Sequence, residues 1–173
     1  MHQSNRKVDV VFQVHASKAT DSSHEFSGTV LVDGNKCGQL IIHNISGVVY
    51  NFGDEPYGDE NFDSLACVAS DPELLDTCLY KLSNEEHIFN FYNVWYLDSF
   101  ELDESHCTLS VLRAILRLIT DFISSLGSDN AVFVVDTTDL PHPIKALMSN
   151  VGLRTVEGDK YYFWPLQHIL ITE

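Results

Sequence analysis

The chain has 173 residues, 45% of them hydrophobic and 20% charged, which gives enough apolar material for a continuous core and rules out a disordered chain. Ten Lys and Arg stand against 25 Asp and Glu, a formal net charge of −15 at pH 7. A polyanion of this size repels nucleic acid and anionic lipid, so neither direct nucleic-acid binding nor membrane binding is expected; a basic protein or a cationic substrate is the partner its charge favours.

In chain order, Val8 to His15 is rich in β-branched and aromatic residues and predicts a strand. Phe26–Val32 and Gly38–His43 read as a hairpin about Asp33-Gly34-Asn35-Lys36, because Asp-Gly supplies the positive φ of a tight turn. Residues 51–63 hold Asp54, Glu55, Asp59, Glu60 and Asp63 among Gly53, Pro56 and Gly58, which predicts an acidic loop. Their spacing lacks the EF-hand pattern, so these five carboxylates are candidate partner-binding residues and not calcium ligands. Ser70-Asp71-Pro72-Glu73 predicts a helix start: Ser70 and Glu73 have capping-box spacing, and proline suits the first turn. Leu74, Leu75, Cys78, Leu79 and Leu82 then recur at helical spacing.

Residues 90–102 predict a long aromatic strand, and Thr108 to Leu126 the strongest helix. The apolar set of that helix is Leu109, Leu112, Ile115, Leu116, Ile119, Phe122, Ile123 and Leu126, and Gly127 ends it. Ala131 to Val135 shows no polar alternation, which predicts a strand covered on both faces. Pro143 to Asn150 reads as a short helix stopped by Gly152, and residues 154–156 with 161–164 as a closing hairpin. No repeat or linker divides the chain, which reads as one domain over 1–173.

Cys37, Cys67, Cys78 and Cys107 include no CxxC pair and no zinc-type spacing, so no metal is expected. Without a signal-peptide pattern or a stretch of ~18 apolar residues, reduced thiols in a cytoplasm are the expectation. Asp139 and His142 put a carboxylate and an imidazole in one loop; His106-Cys107 puts a thiol at a helix start, where the macrodipole favours thiolate while Asp103 and Glu104 oppose it. No G-x-S-x-G elbow or P-loop occurs.

From Tyr96 to Leu166 the order strand, long helix, strand, helix, strand resembles the GCN5-related N-acetyltransferase (GNAT) family. Ile144-Lys145-Ala146-Leu147-Met148-Ser149-Asn150-Val151-Gly152-Leu153 is similar to the family's "A-x-x-L-Y-x-x-x-G-F" helix, and Tyr161-Tyr162-Phe163 to its closing strand. The resemblance implies an α/β (α+β) fold, with a mixed, mostly antiparallel twisted sheet and helices on both faces. It also implies an acetyl-CoA site at the start of the long helix, where the family carries R/Q-x-x-G-x-G/A.

Laid on that motif, Cys107 falls at the arginine, Thr108 and Ser110 at the first two glycines and Leu112 at the third. Side chains at these positions obstruct the close backbone approach that holds a pyrophosphate, and Asp103 and Glu104 repel it. Arg113 and Arg117 are the nearby cations available as replacement phosphate ligands. The tyrosine that serves as general acid in many members is matched by Met148, which leaves Tyr161, Tyr162 and Cys107 as the catalytic candidates.

The residues therefore point to a GNAT-like protein with a degenerate acetyl-CoA loop and no expected cofactor, acting as a non-catalytic or weakly catalytic acidic protein-binding module. The alternative is a divergent N-acetyltransferase that uses acetyl-CoA on a cationic amine or protein. A third reading is a nucleic-acid-mimicking inhibitor, whose carboxylates would occupy a DNA-binding protein's basic groove.

Overall fold

The computed structural model describes residues 6–15, 23–45, 59–85, 93–126 and 131–166. An antiparallel meander opens the sheet: β1 (Val8–His15), β2 (Ser23–Val32) and β3 (Asn35–Ile45). Asp33 and Gly34 alone make the β2–β3 turn, with φ of 51° and 82°, so it is tighter than the four-residue turn expected. The Asp33 N–H donates to the Lys7 carbonyl at 2.8 Å, and the Lys7 N–H donates to Asp33 Oδ1 at 2.9 Å, tying the turn to the entry of β1.

Two helices follow, α1 (Asp59–Ala66) and α2 (Pro72–Glu85). α1 begins inside the segment expected to be an acidic loop. Acidic residues suit the positive end of a helix dipole, so the composition that signals a loop also suits a helix start. The expected capping box is likewise corrected. The Leu74 N–H donates to Asp71 Oδ1 at 3.1 Å, which makes Asp71 the cap and Pro72 the first helical residue, and leaves the Ser70 hydroxyl for other partners.

The second half runs β4 (Asn93–Leu102), α3 (Leu109–Ser125), β5 (Ala131–Asp136), α4 (His142–Leu147), a 3₁₀ turn over Met148–Asn150, and β6 (Tyr161–Pro165). The six strands lie in chain order in one sheet, antiparallel throughout except for the parallel pair β4–β5. That single parallel contact requires a crossover, which α3 provides. The closing hairpin reduces to one bridge, Arg154 to Phe163, so residues 154–156 form no strand.

Helices cover both faces, and a separate apolar core fills each side. Under α3 and α4 lie Leu112, Ile115, Ile119 and Ile144 against Trp95, Leu97, Phe133 and Val135. Under α1 and α2 lie Leu65, Leu75, Leu79 and Leu82 against Val94, Tyr96, Val132 and Val134. All six residues of β5 are buried, as its unbroken apolar run predicts. Leu126, expected in the core, is exposed because α3 has ended there. Gly38 is required by close approach, since a Cβ would lie 2.3 Å from the Glu101 carbonyl oxygen.

Between Ile41↔Ser99 and Ile42↔Leu97 the β3–β4 register shifts, leaving Asp98 as an extra residue on β4. Pairing of β4 with β5 ends at the same place, Leu97↔Val135. A bulge bends its strand and raises local twist, so Asp98 marks where β4 leaves β5.

Candidate functional site

The C-terminal ends of parallel strands are where α/β sheets form ligand sites, and here that end is β4–β5 beyond Leu97 and Val135. On the α2 side it carries a saturated polar cluster. Asp136, 4% exposed, accepts from the Tyr96 hydroxyl and from Ser70 Oγ at 2.7 Å on Oδ2. Its Oδ1 accepts from the Thr138 N–H at 2.9 Å and the Thr138 hydroxyl at 2.6 Å. Burial alone would raise this carboxyl, but the bonds from Ser70, Thr138 and Tyr96 outweigh it and hold Asp136 below the usual carboxylate value.

Tyr161 completes the cluster. Its hydroxyl accepts from the Asp71 N–H at 2.9 Å and donates to the Asp71 carbonyl at 3.1 Å, with Ser70 Oγ 3.3 Å away. Its ring is fully buried, and burial pushes the phenol up, as it does more strongly for Tyr96. Tyr161 therefore turns inward with its proton committed to Asp71, and the cluster fastens the start of α2 to the ends of β5 and β6. Tyr162 is half-buried, packed against the core under α3 and α4. Met148 is fully buried there too.

The other half of the site is the β4–α3 junction, where a pyrophosphate would need free backbone N–H groups. The chain consumes most of them itself. Residues 104–106 form a 3₁₀ turn in which the His106 N–H donates to the Asp103 carbonyl at 2.8 Å, and the Cys107 N–H to Glu104 at 3.1 Å. The Thr108 N–H donates to the His106 carbonyl at 2.8 Å. Thr108 caps α3, its Oγ1 accepting from the Val111 N–H at 3.4 Å and its carbonyl accepting from the Leu112 N–H at 3.0 Å. Ser110 Oγ lies 3.3 Å from Thr108 Oγ1. Leu112 is fully buried, a core residue and no part of a loop surface.

Cys107 sits half-buried just before the cap. Burial pushes its thiol up, and Glu104 and Asp103 add to the shift, so the environment opposes a thiolate. Arg113 donates from Nη2 to the Asn150 carbonyl at 3.0 Å, and Arg117 is exposed one turn further along. Asp139 and His142 are both exposed, and no hydrogen bond or ion pair joins them. Of the acidic segment, Asp54 and Glu55 lie outside the described residues, Asp59 and Glu60 open α1, and Asp63 is exposed. Among the described residues no three His, Cys, Asp or Glu side chains converge on a metal position, and no helix is long and apolar enough to cross a membrane.

Sequence reasoning missed the Asp136 cluster. Its one local signal is an acidic residue closing a wholly apolar strand at the end where sites form. Its partners Ser70 and Tyr96 are 66 and 40 residues away and become neighbours only through the sheet order.

Two solved structures are similar in outline. A tyrosine-to-phenylalanine mutant of KacT is 12% identical, with 88% of this chain and 76% of that one covered, at a TM-score of 0.43. AtaT complexed with acetyl-methionyl-tRNAfMet is 8% identical, with 95% and 99% covered, at a TM-score of 0.44. Neither likeness says what this chain binds or does. No protein-family model and no curated protein matches the chain.

Proposed function

We propose that this chain is a GNAT-like protein that performs no acetyl transfer and binds a basic partner through its acidic surface. The observation that carries the reading is the self-capped start of α3. The N–H groups of His106, Cys107, Thr108, Val111 and Leu112 all have acceptors within the chain, and the Asp103 and Glu104 carboxylates stand exposed beside them. A pyrophosphate there would have to displace the Thr108 cap, worth ~1 kcal/mol, and approach two like charges. Two of the residues the motif points to cannot serve as the acid there, since Met148 has no proton to give and the Tyr161 hydroxyl is bound to Asp71. The net charge of −15 supports a cationic partner, and Asp63, Glu101, Asp103 and Glu104 are exposed carboxylates that would meet it.

The second reading, N-acetyl transfer from acetyl-CoA to a cationic amine, is favoured by the parting of β4 from β5 at Asp98, a position suited to a ligand cleft. The deciding experiment measures free thiol released from acetyl-CoA with and without polylysine, together with calorimetric titration of acetyl-CoA against ADP. The expected result is no thiol above the protein-free rate and no tighter binding of acetyl-CoA than of ADP. Thiol release that depends on polylysine would establish the second reading instead.

A further inference from the structure

Against the overall negative charge, one groove is basic. The chain contains four arginines, and three of them, Arg6, Arg113 and Arg117, line a single open groove of about 510 Å³ between the entry of β1 and the outer face of α3. Arg113 and Arg117 are four residues apart, so they stand one above the other on the helix surface. Val8, Ala114 and Leu118 supply its apolar lining, and among the described residues Asp121 is the one carboxylate on it.

What sets these arginines apart is their gathering in one groove, since Lys36 and Lys145 are also without an ion pair among the described residues. With 25 acids and 10 bases, a cation that needs a partner has an excess to choose from. Lys7 pairs with Asp9 at 3.3 Å, Lys81 with Glu157 at 2.8 Å, and Lys160 lies 3.9 Å from Asp71. Among the described residues Arg6, Arg113 and Arg117 have no ion-pair partner, and the bond from Arg113 to the Asn150 carbonyl leaves the charge of that guanidinium uncompensated. Three like charges gathered about a single carboxylate, Asp121, leave a net positive charge in the groove, which a bound anion would offset.

We propose that this groove is an anion site for a phosphorylated small molecule of nucleotide size, its phosphates held by Arg6 and Arg117 and its uncharged part resting on Val8 and Ala114. Guanidinium forks match phosphate oxygens in pairs, and the volume lies within the ~300–1,000 Å³ of small-ligand sites. The groove differs from the β4–α3 junction in its ligands: they are the side chains of Arg6, at the entry of β1, and Arg117, two turns into α3, not backbone N–H groups at the start of that helix. The proposal is independent of whether the chain transfers acetyl groups.

The test is calorimetric titration of the full chain with ADP, inorganic pyrophosphate and adenosine at low ionic strength. ADP is expected to bind more tightly than pyrophosphate, and adenosine not measurably. Arg117→Gln weakens ADP about tenfold, ~1.4 kcal/mol, and Arg6→Gln with Arg117→Gln abolishes binding. Both substitutions are at exposed positions, and unchanged thermal melting confirms the fold. Asp121→Asn tightens ADP, because it removes the one opposing charge.

Acetyl-CoA carries a diphosphate too. Binding at the groove is equal for acetyl-CoA and ADP and vanishes with the double arginine variant. Binding at the β4–α3 junction favours acetyl-CoA and survives that variant, which would count against the proposed function and leave the groove intact. Absence of ADP and pyrophosphate binding at millimolar concentration, or ADP binding indifferent to Arg6 and Arg117, overturns the proposal. So does a single-stranded oligonucleotide that binds through these arginines far more tightly than ADP, which would make the groove a nucleic-acid surface.

Discussion

Replacing Asp136 by Asn tests whether the buried cluster beneath α2 is held by charge. The carboxylate accepts four hydrogen bonds, from Tyr96, Ser70 and twice from Thr138. In Asp136→Asn the remaining oxygen can keep the Thr138 pair, while the new NH₂ faces the two hydroxyls that formerly donated to Oδ2. Hydrogen bonds to a charged group contribute ~1.5–3 kcal/mol each, and both hydroxyls can rotate to accept, so a loss of about 2–4 kcal/mol is expected at pH 7. The pH dependence separates charge from shape. The folded carboxyl lies below its unfolded value of ~3.9, so its contribution is complete above about pH 4 and disappears as pH falls through the lower folded value. Urea unfolding of both proteins in steps from pH 7 to pH 2 should show the gap between them narrowing below about pH 4. A gap of under 1 kcal/mol at pH 7, or one that stays constant with pH, would refute the charge-held cluster.

Leu112→Ala should cost ~2–5 kcal/mol in the same assay, because the side chain is fully buried under α3; a surface-like loss below ~0.5 kcal/mol would remove it from the core. Iodoacetamide at pH 8 should label exposed Cys67 well before Cys37, Cys78 and Cys107, whose thiols burial pushes up, Cys78 to about 11; mass spectrometry showing Cys107 modified first would restore it as a nucleophile. If a basic partner is steered by the acidic surface, its association should slow steeply above ~0.15 M salt, where the Debye length is ~8 Å. Neutralising Asp54, Glu55, Asp59 and Glu60 together should then lower the on-rate more than it changes the off-rate, and an on-rate indifferent to salt would assign the charge to solubility.

Periodicity made the framework readable. Leu112, Ile115 and Ile119 repeat at helical spacing and are the buried face of α3; residues 131–135 alternate with nothing polar and form the doubly covered strand. What sequence could not give is whatever depends on which elements become neighbours. Asp71 and Ser70 are both competent caps, and the choice between them was made by Asp136, 66 residues from Ser70, which draws the serine hydroxyl away. The three-arginine groove exists because β1 lies beside α3, so Arg6 meets residues more than a hundred positions along. The degenerate helix start is the opposite case, readable because it depends on local residues alone.

That locality also says why glycine substitutions would not recover a pyrophosphate cradle. Thr108→Gly removes the side-chain acceptor for the Val111 N–H, but the Thr108 carbonyl still takes the Leu112 N–H and the 3₁₀ turn still takes those of His106 and Cys107. Ser110→Gly puts glycine into the first turn of α3, where the loss of helix propensity costs ~0.5–1 kcal/mol and frees no donor. Leu112→Gly would open a cavity beneath α3 before it opened a path to backbone. Asp103 and Glu104 would face the ligand unchanged. A Thr108→Gly/Ser110→Gly variant is therefore expected to bind acetyl-CoA no better than the parent chain in calorimetry and to melt at a lower temperature. A gain in acetyl-CoA affinity over ADP in that variant would mean that the two side chains, and not the committed backbone donors, close the site.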